Sequence, residues 1–146
     1  MTVRTLASTL YLVSCVSAKR GNVAPAKDLY VSPWFVKARR YIGRTEAPWF
    51  ILSAEYGLVS PEEPLAPYER TLNNMSVAAR RAWAQRVRDQ MDILLPSVSR
   101  IVVFAGARYR EYLMDYLRTR AAIVEVPLEG LRIGEQLAWF AKNELQ

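Results

Sequence analysis

The chain has 146 residues, 51% of them hydrophobic and 23% charged, enough for one domain with a buried core. It contains no histidine and a single cysteine, Cys15, which excludes Ser-His-Asp and Cys-His catalysis, zinc sites of the Cys/His type and an internal disulfide. The formal net charge of +6, from 20 basic and 14 acidic side chains, favours polyanionic partners, of which nucleic acid is the commonest.

No apolar run approaches the ~20 residues of a membrane span. The first apolar stretch is too short for a signal-peptide core. With the lone cysteine, which agrees with a reducing compartment, this reads as a cytoplasmic protein with no membrane partner. The first strand is expected over residues 10–13. It ends in Ser14, Cys15, Ser17, Lys19, Arg20 and Gly21, a run of small, hydroxyl and cationic residues suited to an anion. The run is neither GxxxxGK[ST] nor GxGxxG, and a basic surface loop accounts for it equally. Ser32 and Pro33 read as N-cap and first residue of a helix over 33–42, ended by Gly43, with Trp34, Phe35, Ala38, Tyr41 and Ile42 facing inward. Lys37, Arg39, Arg40 and Arg44 fall mostly off that face.

A second strand, residues 49–53, runs into the loop Ser53-Ala54-Glu55-Tyr56-Gly57-Leu58. Gly57 there allows a positive φ or close approach to a ligand. Prolines 61, 64 and 67 stiffen the crossover beyond it, which carries Tyr68, Glu69 and Arg70. Ser76 caps a helix over 77–94 closed by Pro96, with Trp83, Val87, Met91, Leu94 and Leu95 inward and Arg80, Arg81, Arg86 and Arg88 on the opposite face. The third strand, 100–105, is followed by Gly106, Arg108 and Tyr109 and a helix over 109–118. The fourth, 122–126, is followed by Glu129 and Gly130 and a helix over 133–145, with Leu137, Phe140 and Ala141 inward. Strands alternating with helices predict a single α/β domain over 1–146, a three-layer Rossmann-like fold with a mainly parallel four-stranded sheet.

In such a sheet the four strand ends share one rim, where ligands bind. The rim would bring together two carboxylates (Glu55, Glu129), two cations (Lys19, Arg108) and two phenols (Tyr56, Tyr109). A carboxylate can orient water or stabilise an oxocarbenium ion, cations can hold phosphates, and phenols can stack on a base. The set suits N-glycosidic cleavage or nucleotide binding better than acyl transfer. The carboxylates lie scattered on different loops beside cations or phenols, so neither a metal nor a cofactor is expected.

Ser53-x-Glu55-Tyr56-Gly57-Leu58 followed by Pro67-Tyr68 resembles elements of the YaaA peroxide-stress family. Ser14-Cys15-x-Ser17-x-Lys19, Gly106-x-Arg108-Tyr109 and Pro127-Leu128-Glu129-Gly130-Leu131-x-x-Gly134-x-Gln136 look like a bacterial and phage family of YaaA-like domains of unknown function. The resemblance implies DNA as partner, with DNA glycosylase relatives acting on modified bases in antiphage defence. The leading expectation is a DNA-acting N-glycosidase that excises a modified base. Glu55 or Glu129 would be its catalytic carboxylate. Ser14, Ser17, Lys19, Arg20, Ser53, Arg70, Gly106 and Arg108, with Tyr56, Gly57, Tyr68 and Tyr109, would bind the nucleic acid. The alternatives are a non-enzymatic DNA-binding or stress-protection module and a small nucleoside or nucleotide hydrolase.

Overall fold

The computed structural model describes residues 8–14 and 19–144. Strand β1 (Thr9–Ser14) is buried on both faces, as befits a central parallel strand. After it come the two-residue strand β2 (Ala24–Pro25), the single turn α1 (Ala26–Leu29) and helix α2 (Pro33–Thr45). Ser32 caps α2 by accepting from the Phe35 amide at 3.1 Å, with Pro33 in the first turn. Gly43 does not end this helix. Thr45 Oγ1 donates to the Ile42 carbonyl at 2.6 Å and accepts from the Ala47 amide at 3.1 Å. Glu46 takes the left-handed capping position, with φ of 59°.

Strand β3 (Trp49–Ser53) turns back at once into β4 (Gly57–Val59), so what reads as an open loop is the tip of an antiparallel hairpin. The Pro-rich crossover contributes β5 (Pro64–Leu65), which pairs with β2 as a separate two-stranded ribbon. A 3₁₀ turn (Leu72–Asn74) leads to α3 (Val77–Leu94), capped by Ser76 accepting from the Ala79 amide at 3.1 Å. Strand β6 (Arg100–Phe104) follows. The predicted helix over 109–118 is two pieces, α4 (Ala107–Arg110) and α5 (Met114–Arg120), broken by a turn. Strand β7 (Ile123–Glu125) and helix α6 (Ile133–Glu144) complete the chain.

The main sheet has five strands rather than four, in the order β4-β3-β1-β6-β7, with only β4 antiparallel. The chain passes from β1 to β3 on one side and then crosses back to β6 on the other. The strand order therefore reverses between β1 and β6, and the crevice at their carboxyl ends is the switch point where open α/β sheets bind ligands. Right-handed crossovers in opposite directions put α2 and α3 on opposite faces. Helix α6 packs beside α2. Between these two helices and the sheet lies an aromatic cluster of Tyr11, Tyr41, Phe104, Trp139 and Phe140, with centroid separations of 5.2–6.1 Å. Helices α3 and α5 are tied by Arg120, which donates to the Met91 and Leu95 carbonyls at 3.2 and 3.3 Å.

The inward stripes hold with two exceptions. Leu94, the last residue of α3, is half exposed, at 50%, and Ala141 of α6 faces solvent. No helix among the described residues is long and apolar enough to cross a membrane.

Candidate functional site

The hairpin tip is built around the Ser53 hydroxyl. Ser53 is wholly buried, and its Oγ accepts from the amides of Glu55 (3.2 Å) and Tyr56 (3.0 Å), a side-chain-held turn. Its backbone carbonyl accepts from Trp83 Nε1 of α3 at 2.9 Å. Gly57 closes the turn at φ of 77°, and a Cβ there would sit 2.3 Å from Gln90 Oε1. That oxygen accepts from the Leu58 amide at 2.8 Å, and Gln90 Nε2 donates to the Tyr56 carbonyl at 3.3 Å. Gly57 is thus required twice, by backbone conformation and by the close approach of Gln90.

The Ser53 hydroxyl donates in turn to Tyr68 Oη at 2.8 Å, and Tyr68 Oη lies 2.6 Å from Tyr30 Oη. Lys19 Nζ stands 4.5 Å from the centre of the Tyr68 ring and 5.8 Å from that of Tyr30, within cation–π range. The segments that carry these groups are laced together. The β2–β5 ribbon, the Lys19–Tyr30 bridge and the Arg20 amide donating to the Leu29 carbonyl at 2.8 Å make residues 19–30 and 60–68 one flap at the sheet's carboxyl edge.

Between this flap and helices α2 and α6 lies a cavity of about 1240 Å³. Of the residues singled out in the sequence, Ser14, Lys19, Arg20, Tyr68 and Arg70 line it, as do Gly106 and Tyr109. Ser53 lies behind Tyr68. Ser17 and Cys15 fall outside the described residues. Glu55, Tyr56, Gly57, Arg108 and Glu129 do not line it. Glu55 is paired with Arg70 at 3.4 Å, Arg108 with Glu111 at 3.9 Å, and Glu129 with Arg110 at 3.6 Å. Tyr56 donates to the Ala66 carbonyl at 3.2 Å and meets Tyr68 edge-on at 5.5 Å. The six groups expected on one rim are therefore divided. Lys19 and Tyr109 reach the cavity, whereas both carboxylates, Arg108 and Tyr56 are held outside it.

Several lining residues were not assigned to the site from the sequence. Asn73 and Asn74 are carried by the 3₁₀ turn, and Glu69 sits beside Arg70. Trp34 lies on α2, and Gln136 on α6. Glu69 is the one carboxylate lining the cavity among the described residues, and it makes no hydrogen bond or ion pair there. Its position between Tyr68 and Arg70, both singled out, was the available signal. Arg20 donates through Nε to the Asp28 carbonyl at 2.8 Å, which steadies it at the rim.

Of the basic face expected on α3, Arg80 lies inside the fold, Arg88 is half-buried, and Arg81 and Arg86 are exposed. Arg80 is buried, pairs with Glu111 at 2.8 Å and donates to the Met75 carbonyl at 2.6 Å. Arg86 donates to the Glu55 carbonyl and Arg88 to the Tyr112 carbonyl, at 2.8 and 2.7 Å. Arg81 lies 4.8 Å over the Tyr112 ring. Among the described residues no three Cys, Asp or Glu side chains gather into a group that could hold a metal ion.

No curated protein and no solved structure matches the chain. Residues 10–142, which take in all the strands and helices described above except the first residue of β1 and the last two of α6, match the model of a family of unknown function, DUF6884, and the chain belongs to that family.

Proposed function

We propose that the chain binds one nucleotide of a DNA strand in the switch-point cavity and hydrolyses its N-glycosidic bond, releasing a modified base. The observation that carries this reading is Glu69, a carboxylate with no protein partner among the described residues, in a cavity whose other charged lining groups are Lys19, Arg20 and Arg70. Cations hold the backbone phosphates on either side of the target nucleotide. The Asn73 and Asn74 amides each offer donors and an acceptor to a base edge. Water oriented by Glu69 adds to C1′ as the bond to the base nitrogen breaks. The bonding pair leaves with the base, which takes up a proton, and the water gives one up. At about 1240 Å³ the cavity exceeds the roughly 300–1,000 Å³ of sites for small ligands, which favours a nucleotide held within a strand over a free nucleoside. The resemblance to the YaaA family supports the same substrate class.

The test is to incubate the protein with plain and base-modified DNA and score abasic sites. Glu69→Gln should lower their formation at least ~100-fold and leave oligonucleotide binding intact, while Glu55→Gln and Glu129→Gln stay near the native rate. Full activity in Glu69→Gln with loss in Glu55→Gln would return the catalytic role to the hairpin tip. Binding that weakens steeply with salt, with no abasic sites on any substrate, would make the protein a DNA-binding module.

A further inference from the structure

We infer that Trp34 is the surface on which the bound base stacks, and that Gln136 is the residue that positions it. The inference rests on the nucleotide reading of the cavity and adds to it the part that recognises the base.

Three phenols stand at or beside the cavity, and none presents an open ring. Tyr68 has Lys19 over its ring at 4.5 Å and meets Tyr30 and Tyr56 edge-on, with centroids 6.4 and 5.5 Å apart. Tyr109 is only 6% exposed and packs edge-on against Trp83 at 5.7 Å. Tyr56 lies outside the cavity. Trp34 differs from all of them. It lines the cavity from the first turn of α2, half-buried, and its Nε1–H donates to Gln136 Oε1 at 2.8 Å. The Gln136 amide is fixed at its other end as well, with Nε2 donating to the Leu131 carbonyl at 2.9 Å, so its oxygen is held towards the indole. Phe140, fully buried, meets Trp34 edge-on, with centroids 5.8 Å apart and planes at 80°.

The one polar group of the indole is thus satisfied inside the protein. What Trp34 offers the cavity is π surface, held rigid by packing and by the amide. Ile133 and Leu137 continue this wall along α6, and Lys19, Arg20 and Arg70 stand among the lining groups of the flap side. A ligand that suits both walls has a flat aromatic part and an anionic part, as a nucleotide has. Every base has a π face, so stacking on Trp34 grips any of them and leaves discrimination to groups such as Asn73 and Asn74.

Two single-stranded oligodeoxynucleotides test this, one with all its bases and one with an abasic analogue in the middle. Affinity is read by calorimetry and ring contact by intrinsic fluorescence. The native chain should bind the full strand more tightly and be quenched by it. Trp34→Leu should weaken binding of the full strand roughly 5- to 150-fold and leave the abasic strand nearly unchanged. Trp34→Phe should keep the preference for a base but lose the quenching, because the other three tryptophans, Trp49, Trp83 and Trp139, do not line the cavity. Gln136→Leu, which removes the acceptor for the indole N–H, should narrow the preference between the strands by weakening the full strand and leaving the abasic strand unchanged. Quenching that persists in Trp34→Phe, or equal affinity of the native chain for both strands, overturns the stacking role and leaves the cavity reading standing. Binding of neither strand by the native chain overturns both.

Discussion

The two walls of the cavity are built by different means. The flap wall, residues 19–30 and 60–68, contains only two-residue strands and one turn of helix. Beyond its buried Ala26, Leu29, Tyr30 and Leu65, it is held by hydroxyls bonded to one another, Ser53 to Tyr68 to Tyr30, and by a cation over a ring. The helix wall, α2 and α6, is held by a dry aromatic cluster in which Phe140 meets Trp34, Tyr41, Phe104 and Trp139. Apolar packing spreads its contribution over many weak contacts, whereas the flap depends on a few atoms whose loss leaves buried partners unsatisfied. Loss of a helix-wall contact is therefore expected to be felt by the global fold, and loss of a flap hydrogen bond chiefly within the flap, whose Leu29, Tyr30 and Leu65 remain buried in the core.

The sharpest way to expose that difference is to cut one group from each wall. Phe140→Ala, at a fully buried position, should cost about 3–5 kcal/mol and lower the denaturant midpoint of the whole molecule. Gly57→Ala should cost about 3 kcal/mol, because the positive φ is strained for alanine and Gln90 must give up its two backbone bonds. Its thermal melt should shift less than that of Phe140→Ala. Ser53→Ala, which removes one donor and one acceptor from a buried site, should cost about 2 kcal/mol. Its signature should be faster amide exchange at Tyr56 and across residues 60–68, with the exchange of α6 unchanged. Equal acceleration in both walls would erase the distinction.

The central strands were legible because β1, β3 and β6 are buried on both faces and read as unbroken apolar runs. Strand β4 was not, because three residues, Gly57-Leu58-Val59, are too few to show a period. Gly57 was rightly marked for positive φ, yet the same glycine signal misled at Gly43, where the threonine two positions on carries the helix further. The site was less legible because its parts are set by distant pairings. Arg70 draws in Glu55, Arg110 draws in Glu129, and Glu111 draws Arg80 out of solvent across 31 positions of sequence. Trp34 fell on the inward stripe of α2, and helical periodicity does not distinguish a ring under the sheet's cover from one in the first turn overhanging the crevice. Gln136, which completes that ring's hydrogen bond, entered only through the family resemblance.

The main sheet is longest in the middle and short at both margins. Strand β1 has six residues, β3 and β6 have five, and the outer strands β4 and β7 have three each. An outer strand is where another chain can add itself through unpaired amides and carbonyls. Three residues give such a chain only a rung or two, and at β4 the ladder starts at a glycine and is followed within two residues by Pro61. A sheet tapered in this way leaves little edge for pairing with another chain.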